Sequence, residues 1–114
     1  MLIGKWTAAK KSVACRDEDK CQRCSRPASD IHHRKPRGMG GSSDPDRNYG
    51  LANLISLCHE CHWWVHAHPA EAYRLGWLVH SYDDPERVSV ITPGYLLWLR
   101  PDGTAVREGE CAAF

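Results

Sequence analysis

The sequence predicts a small single α+β domain in which two short strands lead into a helix and a β-rich segment closes the chain. Three features predict it. Two C-x-x-C pairs bracket a strand–loop–strand pattern, four histidines interleave with those pairs, and the last third of the chain alternates β-rich runs with turn dipeptides. At 114 residues the chain has room for one modest core and not for two independent domains of ordinary size.

Composition narrows the class further. Hydrophobic residues make up 42% and charged residues 25%, and no apolar run approaches the roughly 18 residues of a membrane span. Gly4, Lys5 and Lys10 interrupt the few apolar residues of Met1–Lys11, so no signal-peptide core is expected and the protein is read as soluble and cytoplasmic, with no membrane partner. The net charge of +1 hides an asymmetry: residues 1–37 carry ten Lys/Arg against four Asp/Glu, and residues 38–114 carry five against ten. A basic N-terminal third is compatible with a face that meets phosphates.

Taken in order, residues 1–20 form a basic lead-in with a weak helical pattern over Ala8–Ala14. Cys21-Gln-Arg-Cys24 is a tight knuckle, and a short strand starts at Ile31. Lys35 to Asn48 is dense in Gly, Pro, Ser and Asn and reads as a long loop. Leu51–Leu57 returns as the second strand of a hairpin, and a helix runs from His59 until His68-Pro69 interrupts it. Pro69 opens another helix over Ala70–Leu75, which Gly76 ends. Trp77–Tyr82, Val88–Thr92 and Tyr95–Leu99 are β-rich and predict a small antiparallel sheet or meander. Residues 21–76 are therefore the core, and residues 77–114 a β-rich extension of the same domain.

Cys21-x-x-Cys24 and Cys58-x-x-Cys61 supply four thiolates in the paired arrangement that suits tetrahedral zinc. A closed four-sulfur site has no open position, so its role is structural: it ties the knuckle before the first strand to the helix after the second. Two disulfides, a redox C-x-x-C or a single iron are the competing uses of the same residues. Cys15 and Cys111 fall outside the pairs and read as incidental thiols.

Between the cysteine pairs lies Asp30-Ile31-His32-His33-Arg34, and after the second comes His62-Trp63-Trp64-Val65-His66. His62 and His66 are four residues apart, so on a helix both imidazoles leave one face and can grip one ion. His32 and His33 are adjacent on a strand and project to opposite sides. One can bind metal while the other moves a proton, for which the ordinary histidine pKa is suited. His59, His68 and His80 read as satisfied or solvated residues.

With those residues in place, the stretch from Cys21 to His66 resembles the HNH endonucleases, especially the cysteine-containing ones of bacteriophages and bacteria. His32-His33-Arg34-Lys35-Pro36-Arg37-Gly38-Met39-Gly40-Gly41 is similar to the corresponding segment of the nuclease colicins, and Asn53 stands nine residues before His62, as the middle residue of the signature does. The resemblance covers about 46 of 114 residues. It implies a ββα-metal, or His-Me finger, core and a metal-dependent endonuclease that cuts DNA to 5′-phosphate and 3′-hydroxyl ends. It further implies that His33 is the general base, that His32, His62 and His66 hold one catalytic divalent cation (Mg²⁺, Mn²⁺, Ni²⁺ or Zn²⁺), and that Asn53 orients the site. Many members have aspartate where this chain has His32.

Arg34, Lys35 and Arg37 lie beside the base and are candidates for gripping the DNA backbone, with solvated loop charge as the alternative. Trp63 and Trp64 either stack bases or anchor the helix against the knuckle. The partners expected are DNA and, for a phage protein acting in the host cytoplasm, packaging proteins such as terminase or portal, with the chain a monomer or homodimer. The rival function is a non-catalytic, zinc-containing nucleic-acid-binding or packaging adaptor module.

Overall fold

The computed structural model describes residues 2–36 and 43–109. Their order is α1 (Leu2–Arg16), β1 (Asp30–His33), α2 (Pro45–Tyr49), β2 (Leu54–Leu57), α3 (His59–Ala67), α4 (Pro69–Leu75), β3 (Val90–Thr92), β4 (Tyr95–Leu99) and β5 (Ala105–Glu108). The class is α+β, as the sequence predicts. β1 and β2 form an antiparallel hairpin with His32 opposite Ile55 and His33 opposite Leu54, and α3 begins one residue after β2. A separate antiparallel sheet has the order β3-β4-β5. No described helix is long and apolar enough to cross a membrane.

Local chemistry accounts for most boundaries. The Cys58 sulfur caps α3 by accepting from the Cys61 N–H, and Pro69 both ends α3 and supplies the first turn of α4. Gly76 closes α4 at φ 84°, and a Cβ there would stand 2.0 Å from the Ser89 carbonyl oxygen, so only glycine fits. The loop from Lys35 ends in the short helix α2, where Asp44 accepts from the Asp46 N–H.

α1, Leu51–Asn53 and Trp77–Tyr82 differ from the sequence expectation, as do helix α2, which starts inside the expected Lys35–Asn48 loop, and strand β5, which lies beyond the expected β-rich runs. α1 is longer than the weak pattern over Ala8–Ala14 because tertiary contact supplies what the pattern lacks: Ala9 and Val13 bury against Leu54, with Trp6, Ile31, Tyr49 and Leu51 around them. Leu51–Asn53 is a 3-10 turn rather than the start of β2, since the Asn53 N–H bonds back to the Gly50 carbonyl. Trp77–Tyr82 forms no strand. Its apolar residues Trp77, Leu78 and Val79 are buried, but its backbone is satisfied off any ladder: Leu78 N–H donates to the Ala72 carbonyl and Val79 N–H to that of Arg34. One core cluster takes Cys21, Ile55, Leu57, Val65, Trp77, Val90, Leu97 and Leu99 together, so the knuckle, hairpin, helices and C-terminal sheet share an interior.

Arg34 sits inside that interior and corrects the expectation that it grips DNA. Its side chain is fully buried, and its guanidinium donates to the carbonyls of Gly76 (3.0 Å), Ala52 (2.9 Å), Pro85 (3.0 Å) and Val88 (2.6 Å). Burial, and secondarily Arg16, lower its pKa to about 9, so it stays charged at neutral pH. It is a hub that joins the end of β1 to α4 and to the approach to β3, and no phosphate reaches it. Arg34→Met is expected to destabilise the protein by about 4 kcal/mol or more, because four carbonyls, two of them fully buried, lose a charged donor at once. Urea unfolding checks this; a variant with wild-type stability and only weakened DNA binding would restore the phosphate role.

Candidate active site

Strand alternation and helical spacing bring His32, His62 and His66 together. β1 presents His32 toward α3, while α3 presents His62 and His66 from one face. Their ring centroids lie 5.0 Å (His32 to His62), 5.4 Å (His32 to His66) and 5.0 Å (His62 to His66) apart. One ligand nitrogen from each lies within 4.8 Å of the others, close enough for the three rings to hold one ion. His32 is buried, His62 half-buried and His66 exposed, so the cluster opens to solvent on the α3 side.

The chemistry of the donors fits a metal. His32 Nε2 lies 2.7 Å from the Trp77 carbonyl oxygen and His62 Nδ1 lies 2.8 Å from the Asp30 carboxylate. Metal-binding histidines are oriented in this way, with one N–H donated to a carbonyl or carboxylate and the other nitrogen turned to the ion. Burial lowers the His32 pKa to about 3, against the smaller opposing effect of the Trp77 carbonyl, so this ring is neutral across the physiological range, as a ligand must be. Burial and the neighbouring His62 also hold His66 below the usual range. Asp30 is pulled below its ordinary value: burial raises it, but the bond and charge of His62 outweigh that.

His33 points away from this cluster, as its neighbour's opposite it must. Its Nε2 is 3.1 Å from the Asn48 carbonyl oxygen, and its ring stacks on Trp6 with centroids 5.4 Å apart. Asn53 is buried and ties the hairpin's loop end together: its Oδ1 accepts from Lys35 N–H at 2.7 Å, and its Nδ2 donates to the Arg47 carbonyl at 2.8 Å. Lys35 is half-buried, and Arg37 with residues 38–42 lies outside the described residues, as does Cys111.

The four cysteines form a second cluster 21–24 to 58–61, with all sulfurs within 4.8 Å. Cys24 Sγ and Cys58 Sγ are 3.6 Å apart, close to the ~3.8 Å edge of a tetrahedron of Zn–S bonds of ~2.3 Å. All four are free thiols rather than disulfides. Burial raises Cys58, but hydrogen bonds from the Cys61 backbone and the other thiols bring it down to about 7. Arg23 completes the knuckle by donating to Cys61 Sγ at 3.4 Å and lying 3.9 Å over the Trp64 ring. Trp64 thus anchors the helix to the knuckle, whereas Trp63 is 66% exposed.

Residues 21–67 match the family model described as HNH endonuclease. Over those residues the chain is similar to the HNH endonucleases. No curated protein and no solved structure matches the chain. The matched segment holds both metal-capable clusters, His33 and Asn53, and leaves α1 and the C-terminal sheet outside it.

Sequence reasoning passed over three participants. Asp30 had a readable signal, since it stands two residues before His32 on a strand and therefore shares its face. The Trp77 carbonyl and Trp6 had none: both come from distant segments and meet the site through tertiary packing alone.

Proposed function

We propose that this protein is a metal-dependent endonuclease that hydrolyses phosphodiester bonds in DNA. The observation that carries the reading is the split of adjacent histidines by the strand: His32 joins His62 and His66 in a cluster fit for one divalent cation, while His33 is held on the other side by the Asn48 carbonyl. With Nε2–H donating to that carbonyl, the basic lone pair falls on Nδ1, and His33 takes a proton from the water that attacks phosphorus. Asn53 fixes the end of β1 that carries this ring by fastening Lys35 to Arg47. Asp30 and the Trp77 carbonyl hold His62 and His32 in the tautomers a metal needs.

A divalent cation at the three histidines, whether Mg²⁺, Mn²⁺, Ni²⁺ or Zn²⁺, supplies Lewis-acid stabilisation of the charge that builds on the phosphate and the leaving 3′ oxygen. Three neutral ligands leave its charge intact for that purpose. Products carry 5′-phosphate and 3′-hydroxyl ends. Zn²⁺ fills the four-cysteine cluster as a structural ion. Among the basic residues beside the base, Lys35 and Arg37 remain the contacts offered to the DNA backbone, and packaging proteins such as terminase or portal are the protein partners that fit a phage origin.

Incubating purified protein with supercoiled plasmid and each of these ions, beside a chelated control, tests the reading. Metal-dependent nicking or linearisation is expected. A folded, zinc-loaded protein that leaves plasmid intact with every ion would instead be a nucleic-acid-binding or packaging adaptor.

A further inference from the structure

α1 lies outside the matched segment, yet it reaches the proposed base. The Trp6 indole lies on the His33 imidazole with 17° between the planes. One turn further on, Lys10 sets its Nζ 5.4 Å from the centre of the same indole. The helix is fixed in register with the hairpin. Arg16 donates to the carbonyls of Leu51 (2.8 Å) and Leu54 (2.6 Å), and its partner Asp17 accepts from the Ser56 N–H at 2.9 Å. Ala9 and Val13 bury against Leu54, the residue that lies opposite His33 across the hairpin. α1 also contains Lys5, Lys10, Lys11 and Arg16 and no carboxylate.

We propose that α1 is an active-site element: Trp6 positions the His33 imidazole for proton abstraction, and Lys10 meets a DNA backbone phosphate beside the scissile bond. The proposal rests on the nuclease reading. The hydrogen bond to the Asn48 carbonyl fixes one nitrogen of His33. The indole lies flat against the ring's face and resists its tilting, and misplacement of a reacting group by about 1 Å can cost on the order of 10²-fold in rate. Trp6 is a positioning residue in this account, since it acts through His33. Lys10 is exposed and its ammonium rides on the indole that stacks on His33, with no competing anion on the same helix.

Single-turnover cleavage separates the two roles, because the rate at saturating enzyme reports chemistry and the half-saturating enzyme concentration reports binding. Trp6→Leu keeps an apolar side chain in the small cluster around Leu54 but removes the aromatic face. It is expected to lower the saturated rate about tenfold and to shift half-saturation less than about twofold, with Trp6→Phe recovering most of the rate. Lys10→Ala is expected to raise the half-saturating concentration about fivefold and to shrink the salt slope of binding by about one. In proton spectra the His33 ring signals, assigned by their loss in His33→Ala, should lie upfield and move downfield in Trp6→Leu while the other histidines stay put. A folded Trp6→Leu that cuts at the wild-type rate, or one that Trp6→Phe does not improve upon, would overturn the positioning role. A wild type that cuts no DNA removes the nuclease reading and this proposal with it, whereas an active wild type with indifferent Trp6 and Lys10 variants sinks this proposal alone.

Discussion

His33→Ala is expected to lower DNA cleavage by roughly 10²- to 10⁴-fold, the range a positioned general base contributes, while zinc content and helical signal stay at wild-type levels. The fold should tolerate the change because His33 is half-buried at the strand's outer face and packs against Trp6 and the Asn48 carbonyl rather than in the main core. The neighbouring substitution provides the contrast. His62→Ala removes a ring from the cation cluster and leaves the base untouched, so its loss should depend on the concentration of added cation. The His33→Ala defect should persist at every cation concentration. Single-turnover cleavage of a labelled duplex across a cation titration distinguishes them. A His33→Ala protein that cuts at the wild-type rate would move the base elsewhere, and one rescued by excess cation would make His33 a ligand.

That split between two adjacent histidines was legible in the sequence because it rests on a local rule. Neighbours on a strand face opposite ways, and residues four apart on a helix face the same way. The hairpin, α3, α4 with its glycine stop, and the cysteine tetrad all follow from patterns of that kind. Failures occur where long-range packing decides. Arg34 reads as a loop cation beside the base, yet four carbonyls from Ala52, Gly76, Pro85 and Val88 converge on it from segments up to 54 residues away. Trp77–Tyr82 has the composition of a strand, but the carbonyl of Trp77 is claimed by His32, and the N–H groups of Leu78 and Val79 by Ala72 and Arg34. Trp6 sits in a segment whose weak amphipathic pattern gives no hint that it meets the site. In each case the missing information is which distant polar or aromatic group arrives, and spacing does not encode it.

The largest effect on stability is expected from the four-cysteine cluster. Removing its ion, or replacing Cys58 with serine, should abolish cooperative folding of the domain. Cys21, Cys58 and Cys61 are buried and belong to the main core, so a metal-free tetrad would leave sulfurs crowded in an apolar setting. Burial, reinforced by the neighbouring thiols and only partly offset by Arg23, pushes Cys61 up to about 12, so without a cation this thiol stays protonated and the four sulfurs lack the ion that would hold them together. The cluster also joins two pieces that local forces hold weakly, a knuckle with a left-handed Ser25 at φ 68° and a helix, α3, of nine residues. A helix that short is marginal on its own. Structural zinc contributes on the order of 10 kcal/mol in small domains, comparable with the entire stability of a domain this size at ~5–15 kcal/mol. Because α3 carries His62 and His66, loss of the structural ion should also disperse the histidine cluster, so cleavage and folding should fail together. Thermal unfolding followed by circular dichroism, with metal content measured in parallel, checks this, and Cys15→Ser serves as the control because Cys15 is exposed on α1 and outside the tetrad. Zinc release that leaves the unfolding transition where it was would mean that the cysteines do not hold the fold.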